Sequence, residues 1–272
     1  GVTIRQVLLV LRMDHGLSRA IARGAVEFSR ASGAGQWLFT VRLPEQDDFD
    51  PDAFDGIITV GSQRPAVRRV QQGSRPLISV GNWPEWASWP RVALDDAAIG
   101  RMVARHLLDR RYTRFAFLGR SAGFSDRREA SFRAALAEAG FEPSVFHEAM
   151  DLDWLGEVEK PAAIFAANDV FGQAAINDCR KLGVRVPDEL AVIGVDNDDL
   201  LCETTDPPLS SVALPGRQVG HAAARLLDRR LAGEAVETET MFPPGQLVSR
   251  RSSDVYATGD PLVLEAMRLM RE

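Results

Sequence analysis

The chain has 272 residues, 45% of them apolar and 26% charged, so it can bury a large core; a small stapled fold and a disordered or fibrous chain are excluded. Its formal net charge of -6 argues against this stretch gripping a phosphate backbone, because nonspecific duplex binding depends on clustered Lys and Arg. Only two cysteines occur, Cys179 and Cys202, and neither lies in a CxxC or Cys/His cluster, so no disulfide framework, zinc site or other metal site is indicated.

The amino end, Gly1-Val2-Thr3-Ile4-Arg5, lacks a basic-then-apolar signal pattern, and no apolar run approaches the ~20 residues that cross a bilayer. A cytoplasmic protein with no membrane partner is therefore expected. Residues Val7 to Leu11 read as a buried strand, followed by a helix capped at Ser18 that carries Leu17, Ile21, Ala25 and Phe28 at helical spacing. Trp37 to Val41 resumes the strand pattern. After a stretch rich in Asp, the runs Gly56 to Val60 and Pro76 to Val80 read as strands on either side of a helix from Pro65 to Gln72. Val92-Ala93-Leu94 leads into Asp95 and Asp96, an acidic start that suits a helix dipole. The buried side of that helix is marked by Ile99, Val103, Leu107 and Leu108, and Arg110 and Arg111 end it.

A second series opens with a strand at Phe115 to Leu118 and a helix from about Arg127 to Ala139 that stops at Gly140. Ala162 to Ala166 is the next strand. The helix after Asn168-Asp169 carries Phe171, Ala174, Ala175, Cys179 and Leu182, closes at Gly183, and yields to a strand at Leu190 to Val195. Asp206-Pro207-Pro208-Leu209 cannot be helix interior and reads as a connection between lobes. Gln218 to Leu231 is another helix, Pro243-Pro244 precedes a last strand around Gln246 to Ser249, and Asp260-Pro261 to Glu272 looks like the start of a further helix. Short apolar runs alternating with amphipathic helices predict the α/β class, with largely parallel sheets covered on both faces and two comparable halves.

Three motifs tempt toward catalysis or metal binding. Gly119-Arg120-Ser121-Ala122-Gly123 is a GxSxG after a strand, with Asp196 and His221 following in the chain order of a hydrolase triad; however, the helical pattern begins only after Phe124-Ser125-Asp126, and His221 sits inside an amphipathic helix. Gly33-Ala34-Gly35 precedes a strand, whereas a dinucleotide fingerprint follows one. The acidic run Asp196 to Asp199 lacks the glycine and the terminal glutamate of a calcium loop. No catalytic residue, metal or cofactor is expected.

In open α/β sheets ligands bind beyond the carboxyl ends of strands, so polar residues just after strands are the candidates. These are Asp14 and His15, Asn82 and Trp83, Asp95, Asn168 and Asp169, and Asp196, joined by Arg128 from a helix start. Carboxylates, an amide and a guanidinium fork suit vicinal hydroxyls, and an aromatic face suits the C–H side of a sugar. Taken singly, Asp95, Asn168 and Asp196 could equally be helix caps. Trp83, Trp86 and Trp89 share one irregular segment, where stacking on a sugar competes with plain loop packing.

The residues resemble the ligand-binding core of LacI/GalR-type repressors, which shares its fold with periplasmic sugar-binding proteins. The resemblance rests on Val92-Ala93-Leu94-Asp95 with Gly100 and His106-Leu107-Leu108, Arg128-Glu129-Ala130-Ser131-Phe132, Ala167-Asn168-Asp169 and Val186-Pro187-Asp188-Glu189. Ile193 to Glu203, Pro207 to Leu214 and Arg250-Arg251-Ser252-Ser253-Asp254 look more specifically like the xylose-operon regulators, which append an AraC-type helix-turn-helix domain. The resemblance implies a two-lobed, type I periplasmic-binding-protein-like fold whose lobes close on a sugar effector, D-xylose or a related pentose. It also implies a homodimer, and DNA contact only through a domain carboxyl-terminal to this chain. The lobes are expected at residues 1–111 with 214–242 and 112–213 with 243–256, and residues 257–272 would begin the DNA-binding domain. By the same resemblance Asp95, Arg128, Asn168 and Asp196 contact the sugar, with Asp14 and Trp83 as further candidates. Removing Arg128 or Asp196 is expected to abolish a sugar response and leave the apo fold intact. The sequence departs from the general repressor pattern at Leu214, where a polar contact is common, and at Ser131, where glycine is usual. A periplasmic receptor of an ABC transporter is the alternative binding reading, and a carbohydrate-active hydrolase the enzymatic one.

Overall fold

The computed structural model describes all residues except 1–3, 33–35, 62–63, 84–86, 122, 149–151, 256–261, 263–265, 267–268 and 270–272. The expected carboxyl-terminal helix start therefore lies almost wholly outside the described residues, as do Trp86 and the Gly33-Ala34-Gly35 motif. The chain divides into two compact units, residues 1–95 with 215–243 and residues 96–214 with 244–272.

The first unit is a six-stranded parallel sheet in the order β11-β5-β4-β3-β1-β2. Its strands are β1 (Ile4–Val10), β2 (Gln36–Arg42), β3 (Gly56–Val60), β4 (Leu77–Val80), β5 (Arg91–Leu94) and β11 (Glu239–Phe242). Helix α1 (Gly16–Ala31) buries Ile21, Ala25 and Phe28, the residues that its spacing marked. It begins two residues before Ser18, which is buried inside the helix, and His15 at the cap position makes no capping hydrogen bond. Helix α8 (Gly216–Leu231) packs closely on α1. A Cβ at Gly220 would stand 1.9 Å from the Ile21 carbonyl oxygen and one at Gly24 2.0 Å from that of Arg217. On one face of the sheet Leu8, Val10, Ile57 and Leu77 meet α2 (Pro65–Gln71) through Ala66, Val67 and Val70.

The second unit carries the sheet β12-β10-β9-β8-β6-β7, parallel except that β12 runs antiparallel to β10. Its strands are β6 (Phe115–Gly119), β7 (Ser144–His147), β8 (Ala162–Ala166), β9 (Leu190–Asp196), β10 (Ser210–Ala213) and β12 (Leu247–Val248). The helices are α3 (Asp96–Asp109), α4 (Gly123–Glu138), α5 (Trp154–Glu157), α6 (Asp169–Lys181) and α7 (Asp199–Thr204). Gly140 and Gly183, with φ of 84° and 70°, follow α4 and α6 in the left-handed conformation that glycine adopts without cost. Phe117, Phe132 and Phe165 fill the core with edge-to-face contacts at 5.0 and 5.3 Å.

Two expectations about the chain path are corrected. The first unit ends at Asp95 instead of residue 111, because the apolar face of α3 (Ile99, Val103, Leu107) packs into the cluster of Phe115, Phe117, Phe132 and Leu136. Gly100 permits that approach: a Cβ there would lie 2.4 Å from the Arg128 carbonyl oxygen. The stretch Asp206 to Leu209 is no connection between units; it lies inside the second, where Leu209 N–H donates to the Cys202 carbonyl. Among the described residues no helix is long and apolar enough to cross a membrane.

Candidate functional site

Asp95, Asn168, Asp169 and Asp196 sit at a carboxyl-terminal strand end or at the start of the helix that follows, whereas Asn82 and Trp83 lie in the irregular segment between β4 and β5. On the second unit these ends bring several together. Arg128, in α4 and 3% exposed, donates from Nε to Asp96 Oδ1 at 2.8 Å and from Nη1 to the Ala167 carbonyl at 2.6 Å. Its guanidinium carbon lies 4.9 Å from the centre of the Phe124 ring, which supplies cation-π contact. Nη2 makes no hydrogen bond among the described residues. Asn168 caps α6, its Oδ1 accepting from Phe171 N at 3.1 Å, so the cap and the ligand readings coexist in one side chain: the carbonyl is used and the amide nitrogen is left over.

Asp196 ends β9 with φ +114°, followed by Asn197 at φ +50°. Its carboxyl is half-buried and takes no hydrogen bond among the described residues. Loss of water around it, reinforced by the charge of Asp169 and opposed by that of Arg128, pushes its pKa up to about 8; Asp198 and Asp96 add to the rise. Asp169 is fully buried and raised to about 6, chiefly by desolvation, which hydrogen bonds from Ser211, Asp198 N–H and Cys202 oppose. The cluster thus holds four carboxyl groups, Asp96, Asp169, Asp196 and Asp198, around one guanidinium. It is acceptor-rich and repels a further anion.

The first unit's candidates are placed differently. Asp95 follows β5 directly and is half-buried, with its backbone N–H donated to the Phe242 carbonyl at 2.8 Å. Asn82 is buried and donates to the Leu94 carbonyl at 2.6 Å, a structural bond that fixes the β4–β5 ends. Asp14 is exposed and forked onto Arg12 at 3.0 and 2.5 Å, which holds its carboxyl below the usual range. Trp83 and Trp89 pack against the Leu8–Val10–Ile57 cluster, so the bland loop-packing reading applies to both.

The GxSxG context also differs from the expectation. Helix α4 begins at Gly123, the last residue of the motif. Ser121 faces neither Asp196 nor His221 as a hydrogen-bond partner. Its Oγ lies 3.5 Å from His147 Nδ1, and His147 Nε2 lies 2.7 Å from Glu129 Oε2. The serine and imidazole are exposed, the 3.5 Å contact is at the limit of hydrogen bonding, and Glu129 is shared with Arg133 at 3.5 Å. His221 stands edge-on to Phe28 at 5.2 Å in the first unit.

Sequence reasoning passed over Asp96 and Ser211 as site residues and left Asp169 out of the final set. Asp96 read as a helix start and Ser211 lay in a stretch assigned to no element; only the packing of α3 on α4, and of β10 beside β9, reveals their partners. Ser131, where glycine is usual, donates to the Arg128 carbonyl at 3.1 Å, and Leu214 packs against the second unit's core.

Residues 104–253 match the family model described as periplasmic binding protein-like domain. The chain is 29% identical to the xylose operon regulatory protein of Escherichia coli (strain K12) over 98% of its length and 74% of that protein's. It is 32% identical to the HTH-type transcriptional regulator CelR of Thermobifida fusca, over 86% and 69%. A solved structure of the xylose-binding transcription activator xylR superposes with a TM-score of 0.84 at 27% identity, covering 99% of this chain and 74% of that one. A CelR–cellobiose complex gives a TM-score of 0.74 at 24% identity, covering 91% and 84%. The named relatives are transcription regulators, so neither the transport-receptor reading nor the hydrolase reading gains support from them. The chain belongs to the periplasmic binding protein-like domain family, in the type I form that LacI-type transcriptional regulators carry.

Proposed function

We propose that the chain is the effector-sensing domain of a transcription regulator and binds a neutral sugar, D-xylose or a related pentose, without transforming it. On the second unit the direct contacts are Asp196, the free amide nitrogen of Asn168 and Arg128 Nη2. The observation that carries this reading is the Asp196 carboxyl, which lacks a hydrogen-bond partner among the described residues beside a single guanidinium and an excess of acids. Such a set suits hydroxyl groups and disfavours sugar phosphates and sugar acids. The names of the relatives, xylose-binding and cellobiose-bound, support a sugar and set the test panel.

The bound sugar passes a signal to a DNA-binding domain only through a difference in its affinity for two conformations of the protein. Homodimer formation and a cytoplasmic setting belong to the same proposal. The test is thermal denaturation of the protein with D-xylose, D-xylulose, cellobiose and xylose phosphate. At a hundredfold excess over Kd, a ligand stabilises by about 2.7 kcal/mol, a clear rise in Tm. D-xylose or another neutral pentose should give that rise and xylose phosphate none. No shift with any neutral sugar would overturn the reading.

A further inference from the structure

We propose that Asp169, itself out of reach of any ligand, is a positioning residue: from inside the protein it splints the turn after β9 and thereby presents Asp196 to the ligand. The proposal rests on the functional reading above and goes beyond it, since it assigns a residue that touches no sugar.

The turn needs holding. Asp196 and Asn197 are both non-glycine residues with positive φ, a conformation that costs on its own and persists only where neighbours over-determine it. Asp169 supplies the neighbours. Its Oδ2 accepts from Asp198 N at 2.8 Å and from Cys202 Sγ at 3.5 Å, while its Oδ1 accepts from Ser211 Oγ at 2.6 Å. Ser211 in turn accepts from Asn197 N at 2.9 Å. Both backbone amides that follow Asp196 are therefore fastened, directly or through one hydroxyl, to one carboxylate at the first turn of α6.

The surroundings fit that role. Gly194 in β9 leaves the space the carboxylate occupies, since a Cβ there would come within 2.3 Å of Asp169 Oδ1. Asp198, fixed at its N–H by Asp169, uses its own Oδ1 to cap α7 through Leu200 N at 3.2 Å. The backbone N–H groups of Asn197, Asp198 and Leu200 are thus all taken by protein acceptors, and the Asp196 carboxyl accepts none of them.

The experiment compares Asp169→Asn and Ser211→Ala with wild type by calorimetric titration of D-xylose, after far-UV circular dichroism and a cooperative melt have verified folding. Ile176→Val, a core change elsewhere in the second unit, serves as a control for stability loss alone. Both turn variants should raise Kd about tenfold or more, as expected from loosening a charge-assisted hydrogen bond, while Ile176→Val lowers Tm without changing Kd. In Asp169→Asn the inflection of Kd with pH that belongs to Asp196 should also move to lower pH, because one negative neighbour is gone. The other charged groups facing Asp196, Arg128 on α4, Asp96 on α3 and Asp198 in the turn, are unchanged. A side chain that merely filled space would leave that inflection in place. Kd within about twofold of wild type in a folded turn variant, or an unmoved inflection, overturns the assignment; if Asp169→Asn does not fold, Ser211→Ala decides by its Kd. A wild type that binds no neutral sugar removes the functional reading and this inference with it. That outcome is distinct from a wild type that binds together with variants that bind equally well.

Discussion

Arg128→Ala separates a ligand contact from a structural clamp. The guanidinium and its partner Asp96 have side-chain exposures of 4% and 2%, so both charges are out of water and rely on each other. Removing one member of such a pair strands the other and typically costs about 3–5 kcal/mol. Loss of the Ala167 carbonyl's donor adds to this without being additive. Against the 5–15 kcal/mol that holds a domain together, this is a large share of the second unit's stability. The expectation that the apo fold survives Arg128 removal intact is therefore revised: the variant should unfold at clearly lower urea even without sugar. The assay is urea denaturation of the apo protein followed by circular dichroism, with Arg128→Met, Asp96→Asn and the double variant closing a cycle. The double variant should regain most of the loss, because no charge is then stranded. A loss below about 1 kcal/mol in Arg128→Ala, or additive losses in the cycle, would refute the clamp.

Two further outcomes follow from the same structure. The Asp196 carboxyl is raised from 3.8 to about 8 in the folded chain, so the protonated form is favoured by folding; that contribution is whole below the unfolded value near 4 and is lost as pH rises through about 8. Apo stability should fall across that window and Asp196→Asn should flatten the fall, gaining on the order of a few kcal/mol over wild type at the alkaline end; parallel Tm-against-pH curves for the two proteins would refute this. Gly220→Ala places a methyl 1.9 Å from the Ile21 carbonyl oxygen, forcing α1 and α8 apart, and should cost about 1–3 kcal/mol or more by denaturant titration; a neutral result would mean the helices have room the packing denies.

The sequence by itself determined the class of fold and most of its elements. Strand apolarity at Val7 to Leu11 and Leu190 to Val195, and helical spacing at Ile21, Ala25 and Phe28, are local signals with short periods. Local chain geometry is enough to turn them into strands and helices. The ends of the strands, and with them the places of Asp95, Asn168 and Asp196 in the chain, were legible for the same reason. What the sequence left undetermined is what those elements pack against. Ile99, Val103 and Leu107 announce a buried face on α3, yet nothing local says which sheet it covers, and the first unit therefore ends at Asp95 and not at residue 111. Edge strands β7 and β11 are only partly buried and carry little apolar pattern, so they show only once paired with β6 and β5. The Arg128–Asp96 and Asp169–Ser211 bonds join residues 32 and 42 positions apart, and only the packing of the second unit's helices and strands brings those side chains within 3 Å.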